Sequence, residues 1–168
     1  MGLLLFDAEG KEVRLSSLEG KAVLLHLGAM CSPGTVAYTG GKRAKPFAGC
    51  APQQNAPTLE AWLKRKGIDV EHPKLRIVHA LFYGKNQSDP PKPEDLKEWI
   101  AHFGLAQRPN TIALRGDVAY TEQATFERIP GIQLIGPDRK FLVDCARNTG
   151  NDWNTVIKAL EQHLRKVV

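Results

Sequence analysis

The chain has 168 residues, 42% of them hydrophobic and 24% charged, with a formal net charge of +5. This is the profile of one ordinary globular domain over residues 1–168, large enough to bury about two-thirds of the surface its unfolded chain exposes. Three cysteines are too few for a disulfide-built scaffold, no apolar run is long enough to span a bilayer, and the basic residues are scattered without interleaved aromatics, so neither a membrane span nor a nucleic-acid partner is expected.

In chain order, Met1-Gly-Leu-Leu-Leu-Phe6 is too short for a signal peptide, and a myristoylation signal would want Ser or Thr where Phe6 stands. The chain therefore reads as starting at the edge of its own first strand, as an excised domain does. If a signal or anchor was removed upstream, the expected compartment is the periplasm; otherwise it is the cytoplasm. Leu3–Phe6 and Glu12–Leu15 flank Asp7-Ala-Glu-Gly10 and form a short hairpin.

The stretch from Ala22 to Lys66 organises the rest. Ala22-Val-Leu-Leu-His-Leu-Gly28 lacks strict alternation, which suits a central strand covered on both faces. A Cys-bearing loop from Ala29 to Ala51 follows, then an amphipathic helix over 52–66 with Leu59, Trp62 and Leu63 on its packing face. Pro57 either kinks that helix or marks where its regular part begins. Cys31 directly follows the strand, and Cys50 directly precedes the helix. A helix N-terminus favours negative charge, and a thiolate is such a charge. The densest basic run, Lys42-Arg-Ala-Lys45, lies in this loop; no Gly-Lys-Ser/Thr accompanies it, so it reads as solvated surface rather than a phosphate cradle. His26 inside the strand reads as a buried neutral histidine with a neighbouring partner, and proton transfer beside the thiols is the sharper alternative.

Leu75–Phe82 is the next strand, with His79 in a structural role. Pro93–Phe103 opens on proline and acids and stops at Gly104, as a helix does. A short strand at Thr111–Leu114 and a helix through Tyr120 to Phe126 come next. Pro130–Cys145 forms a strand, a Gly-Pro-Asp turn and a second strand, with Cys145 buried as a small apolar residue. Asn151 or Asp152 caps a last helix reaching about Lys166, with Trp153, Ile157, Leu160 and Leu164 on its buried stripe. This order of elements gives an α/β sandwich with a mixed sheet. No internal repeat appears, nor any Ser-His-Asp spacing or nucleophile elbow.

Leu15-Ser-Ser-Leu-Glu-Gly-Lys-Ala-Val-Leu-Leu-His-Leu-Gly-Ala29 resembles the "L-x-x-L-x-G-K-x-V-L-L-x-F-x-A" run of the thioredoxin superfamily, and Ile129-Pro-Gly-Ile-Gln-Leu-Ile-Gly-Pro-Asp138 resembles its "P-T-x-x-L-I-D-x-D-G". Within that superfamily the likeness is to the redoxin branch, which holds TlpA/ResA-like thiol–disulfide oxidoreductases and AhpC/TSA peroxiredoxins. The resemblance implies a thioredoxin-like three-layer sandwich with an N-terminal β-hairpin and a long insert between the first central strand and the first helix. It makes Pro130 the family's cis-proline, beside the active thiol and shaping a substrate groove. It also implies a protein thiol or disulfide as partner and no bound cofactor.

The departures bear on activity. The family's Cys-x-x-Cys is absent: Ser32-Pro33-Gly34 follows Cys31, and Cys50-Ala-Pro-Gln53 carries Gln where the second thiol would be. Pro46-Phe-Ala-Gly-Cys50 lacks the peroxiredoxin threonine, which leaves a one-thiol peroxidase as a lesser possibility. Three readings stand. Cys50 and Cys31 are one redox pair split by the insert, with Cys50 the attacking thiolate at the helix start and Cys31 the resolving thiol. Or the domain is a non-catalytic binding module whose cysteines staple the loop, worth roughly 3 kcal/mol, or stay reduced. Or the two thiols bind metal with a histidine, as copper-delivery relatives do from the loop before the hairpin; here no histidine lies between Gly104 and Pro130.

Overall fold

The computed structural model describes residues 3–18, 20–117, 121, 123–145 and 153–165. Its seven strands are β1 (Leu4–Phe6), β2 (Glu12–Arg14), β3 (Ala22–Ala29), β4 (Leu75–Tyr83), β5 (Thr111–Arg115), β6 (Gly131–Ile135) and β7 (Phe141–Cys145). The helices are α1 (Pro33–Gly40), α2 (Leu59–Arg65), α3 (Pro93–Phe103), α4 (Gln123–Phe126) and α5 (Trp153–Arg165). The strands form one sheet in the order β2-β1-β5-β4-β3-β6-β7. β3, β4 and β5 run parallel, while β6 pairs antiparallel with β3 and β1 antiparallel with β5.

Every residue of β3 is buried, which explains why its sequence shows no alternation: both faces are covered. On one face Leu24, Ile77, Ile132 and Leu134 pack under α2 and α5, through Leu59, Leu63, Val156 and Leu160. On the same face, farther along β4, Leu81 meets Val36 of α1 and Leu96, Trp99 and Phe103 of α3. The opposite face carries Val23, Leu25, Val78 and Ala80, closed by Leu15 and Leu18 of a 3-10 turn and by Phe126 of α4. The sheet is thus the middle of three layers, as the sequence implied.

The chain departs from expectation in the insert. Helix α1 lies within the segment read as a loop, and it starts right after Cys31 with Ser32 as N-cap and Pro33 in its first turn. The helix expected over 52–66 is confined to Leu59–Arg65, with Thr58 as its cap. Pro57 therefore marks the start of the regular part, because a proline steers the residue before it away from helical angles. Gly104 stops α3 in the left-handed conformation. The expected caps Asn151 and Asp152, the end at Lys166, and the start of the 120–126 helix at Tyr120 lie outside the described residues.

Candidate functional site

Local sequence puts Cys31 at the head of α1. The thiol residue sits one position before Ser32, whose hydroxyl accepts the Thr35 N–H at 3.4 Å, and Pro33 contributes a fixed φ to the first turn. Helix and strand are fastened at this point. The Ala29 N–H donates to Thr35 Oγ1 at 3.1 Å, and a Cβ added at Gly28 would stand 2.6 Å from the Thr35 methyl. One turn into the helix, Gly34 faces Pro130: a Cβ there would come within 2.8 Å of the proline ring. The Ile129–Pro130 bond is cis, as the resemblance implied.

The returning insert reaches the same place. The Gln53 N–H donates to the Pro33 carbonyl at 2.9 Å, and Gln53 Oε1 lies 3.2 Å from the position of a Gly34 Cβ. Cys50 sits three residues earlier, at the end of a tight turn in which the Phe47 and Cys50 backbones bond each other at 3.0 and 2.8 Å. Pro130 and Gln53 therefore both stand against the first turn of α1, which Cys31 precedes.

Both cysteines are free thiols of intermediate exposure. Cys31 packs against the core on the α4 side and Cys50 against the Met30–Phe47–Trp99 cluster. The Cys31 Sγ–H points to the Asn86 carbonyl at 3.8 Å, and the Cys50 Sγ–H to the Ala51 carbonyl at 3.9 Å. Burial pushes the Cys31 thiol up. Burial also pushes Cys50 up, and charge on Cys31 pushes it further. Cys50 thus feels charge on Cys31 although nineteen positions separate them.

This corrects one expectation. Cys50 is not at a helix start, since seven residues separate it from the cap of α2, and no helix dipole draws its thiol down. The position before a helix belongs to Cys31. Sequence reasoning missed Phe47, Gln53 and Asn86 as neighbours of the thiols. It also missed α1, although Ser32-Pro33 was a legible cap-and-first-turn signal.

The other expected residues fall elsewhere. Cys145 is buried at 1% exposure beside β6. His26 and His79 face each other across β3 and β4, completely buried, with their Nδ1 atoms 2.9 Å apart. A contact that short needs one proton between the rings, so one Nδ1 donates and the other accepts. Neither Nε2 has a partner among the described residues. Burial and the charge of His79 hold His26 well below the usual imidazole range. Burial and the Arg108 charge hold His79 at about 3. Both rings are neutral structural histidines, far from the role of a base for the thiols.

A copper site of the two-thiol, one-histidine kind needs an imidazole beside the cysteines. Here His26 and His79 engage each other in the core and His102 Nε2 donates to the Lys45 carbonyl at 2.8 Å. Among the described residues no three His, Cys, Asp or Glu side chains converge. The donor set does not fit such a metal.

Neither protein-family models nor curated proteins give a match to this sequence. Solved structures do. One is BsSco, described as a member of the Sco family of cytochrome c oxidase assembly proteins with a disulfide switch: 20% identity, 98% of this chain and 92% of that one, TM-score 0.58. Another is a thioredoxin-like protein from Aeropyrum pernix: 16% identity, 99% and 89% coverage, TM-score 0.54. A third is a putative protein disulfide isomerase from Bacteroides thetaiotaomicron: 16% identity, 98% and 87% coverage, TM-score 0.55. The chain is a thioredoxin-like α/β domain. Its structural neighbours include Sco-family proteins, a putative protein disulfide isomerase and a thioredoxin-like protein, at identities that speak for the fold alone.

Proposed function

We propose that this domain is a thiol–disulfide oxidoreductase whose exchanging pair is Cys31 and Cys50, with Pro130 forming the wall of the substrate groove. The observation that carries the reading is geometric: two free thiols stand at the ends of an insert whose returning segment, through the Gln53 N–H on the Pro33 carbonyl, is bonded to the first turn of α1, where Pro130 packs against Gly34. The fold neighbours with a disulfide switch and a disulfide-isomerase description support it.

Cys31, positioned directly ahead of a helix, is the attacking thiolate. It attacks one sulfur of a protein disulfide, forming a mixed disulfide and releasing the other sulfur as a thiolate. The Cys50 thiolate then attacks the Cys31 sulfur. The Cys31–Cys50 disulfide forms, and the second substrate sulfur leaves as a thiolate that takes up a proton. The substrate gains two electrons and this chain loses two; an external dithiol restores the reduced pair.

Insulin reduction driven by dithiothreitol tests this. Wild type turns over, Cys31→Ser is inactive, and Cys50→Ser accumulates a Cys31 mixed disulfide detectable by mass. No turnover in wild type, with no Cys31–Cys50 disulfide after mild oxidation, overturns the proposal.

A second reading, a binding module with reduced thiols, is favoured by one observation: burial pushes both thiols up, and a thiol raised by an apolar setting is a poor nucleophile at neutral pH. Under this reading the domain engages its protein partner without exchange, and Cys31→Ser leaves binding unchanged.

A further inference from the structure

Exchange between residues nineteen positions apart needs something to hold the second thiol in place, because a free loop of that length samples many positions for each productive one. Cys31 is fixed by the strand–helix junction. Cys50 belongs to the segment between α1 and α2, where the described structure has no helix or strand beyond one isolated bridge. What holds Cys50 is therefore the question that the site geometry poses.

That bridge joins Phe47 to Cys50. Their backbones exchange two hydrogen bonds across Ala48 and Gly49, both of which have positive φ, 47° and 82°. This is the backbone of a tight primed turn, and it makes the position of Cys50 follow that of Phe47. The Phe47 ring is only 3% exposed, although Ala48 and Gly49 beside it are exposed. It lies edge-on to Trp99 at 4.9 Å and His102 at 5.4 Å, and tilted against Phe103 at 6.2 Å. Those three rings stand on one side of α3, at positions i, i+3 and i+4. His102 adds a second hold through its bond to the Lys45 carbonyl. Downstream, the Gln53 N–H on the Pro33 carbonyl fixes the other flank.

We propose that Phe47, seated in the Trp99–His102–Phe103 cage, is the positioning residue that holds Cys50 against Cys31 and so sets the effective concentration of one thiol toward the other. The inference rests on the exchange-pair reading above. Phe47 touches no reacting atom; it acts through the turn and the α3 cage. The cage lies on a helix whose Trp99 and Phe103 belong to the core.

The test is the equilibrium constant of the Cys31–Cys50 disulfide against glutathione, in which two protein thiols and one glutathione disulfide become one protein disulfide and two glutathione thiols. Phe47→Ala is expected to lower that constant at least tenfold, and Phe47→Leu to restore most of it by keeping the cage filled. Gly49→Val breaks the turn without emptying the core, since a Cβ at that position meets nothing within 4 Å while the positive φ is closed to a β-branched residue. It is expected to lower the constant similarly. Alkylation of Cys31 by iodoacetamide, measured in the Cys50→Ser background, should keep its rate in all variants, which a general loss of structure would not allow. Constants equal to wild type in both Phe47→Ala and Gly49→Val overturn this inference alone. A wild type that forms no intramolecular disulfide overturns the exchange-pair reading and this one with it.

Discussion

Two pairs of titratable side chains stand on the same β3 and its continuation, and they are held in opposite ways. His26 and His79 meet because β3 and β4 run parallel in a register that sets them side by side. Cys31 and Cys50 stand at the two ends of a long insert that folds back and is tied down at Phe47 and Gln53. Register leaves no freedom: the imidazoles are sealed in the core, share one proton, and cannot gain a second at neutral pH. A tether leaves some, and the thiols stay half-exposed where a covalent state can change. Register makes structure; a tether leaves room for chemistry.

Breaking the rigid pair has the largest effect. His26→Ala removes the partner of His79 Nδ1 and leaves a cavity, and is expected to cost about 3 kcal/mol in urea unfolding. The double replacement His26→Leu with His79→Leu removes both polar groups together and should cost clearly less than the sum of the single changes. If the changes add, the two rings do not act as a pair.

Acid exposes the same difference. Both histidines have folded-state values below the usual 6.5, so the unfolded chain binds their protons first as pH falls. Their stabilising contribution is complete above pH 6.5 and is lost progressively below it, toward the value of about 3 for His79. The slope is up to about 1.4 kcal/mol per pH unit for each ring. Between pH 6.5 and 5 the wild type should lose stability more steeply than the double Leu variant; parallel slopes would refute the assignment.

Next in size is the clamp beside this pair. Arg108 Nη1 donates to the Thr39 carbonyl at the end of α1 at 2.5 Å and faces Glu60 of α2 at 3.5 Å, while its Nη2 donates to the Phe103 carbonyl at 3.0 Å. Arg108→Met frees two carbonyls and one carboxylate, with an expected loss of about 2 kcal/mol in thermal or urea unfolding.

The smallest effect sharpens the thiol side. Charge on Cys31 opposes ionisation of Cys50, so Cys31→Ala should move the Cys50 alkylation midpoint to lower pH. An unmoved midpoint would mean that the two thiols are not electrostatic neighbours.

Much of this was legible in the sequence. β3 and β4 announce themselves as unbroken apolar runs, α3 by Pro93 and Gly104, and the proline beside the site by its neighbours Ile129 and Gly131. Of helix α1 only the start was legible, at Ser32-Pro33; Gly34, Thr35, Val36, Thr39 and Gly40 are weak helix formers, and packing under the sheet makes them helical. The 52–66 segment misled in the opposite direction. Its apolar spacing is real, but Pro52, Asn55 at φ 65° and Pro57 keep everything before Thr58 out of the helix. The partnership of His26 with His79 depends on which strands become neighbours, and spacing along one chain does not carry that.

The fastening of α1 onto β3 has a mechanical consequence. The Thr35 hydroxyl holds the Ala29 amide, its methyl fills the hollow over Gly28, and its carbonyl accepts the Thr39 hydroxyl at 2.8 Å, so strand end and helix move as one rigid lever. On the proposed joining of the two sulfurs, spectral changes should therefore map to the strap of residues 41–58 while the sheet keeps its resonances.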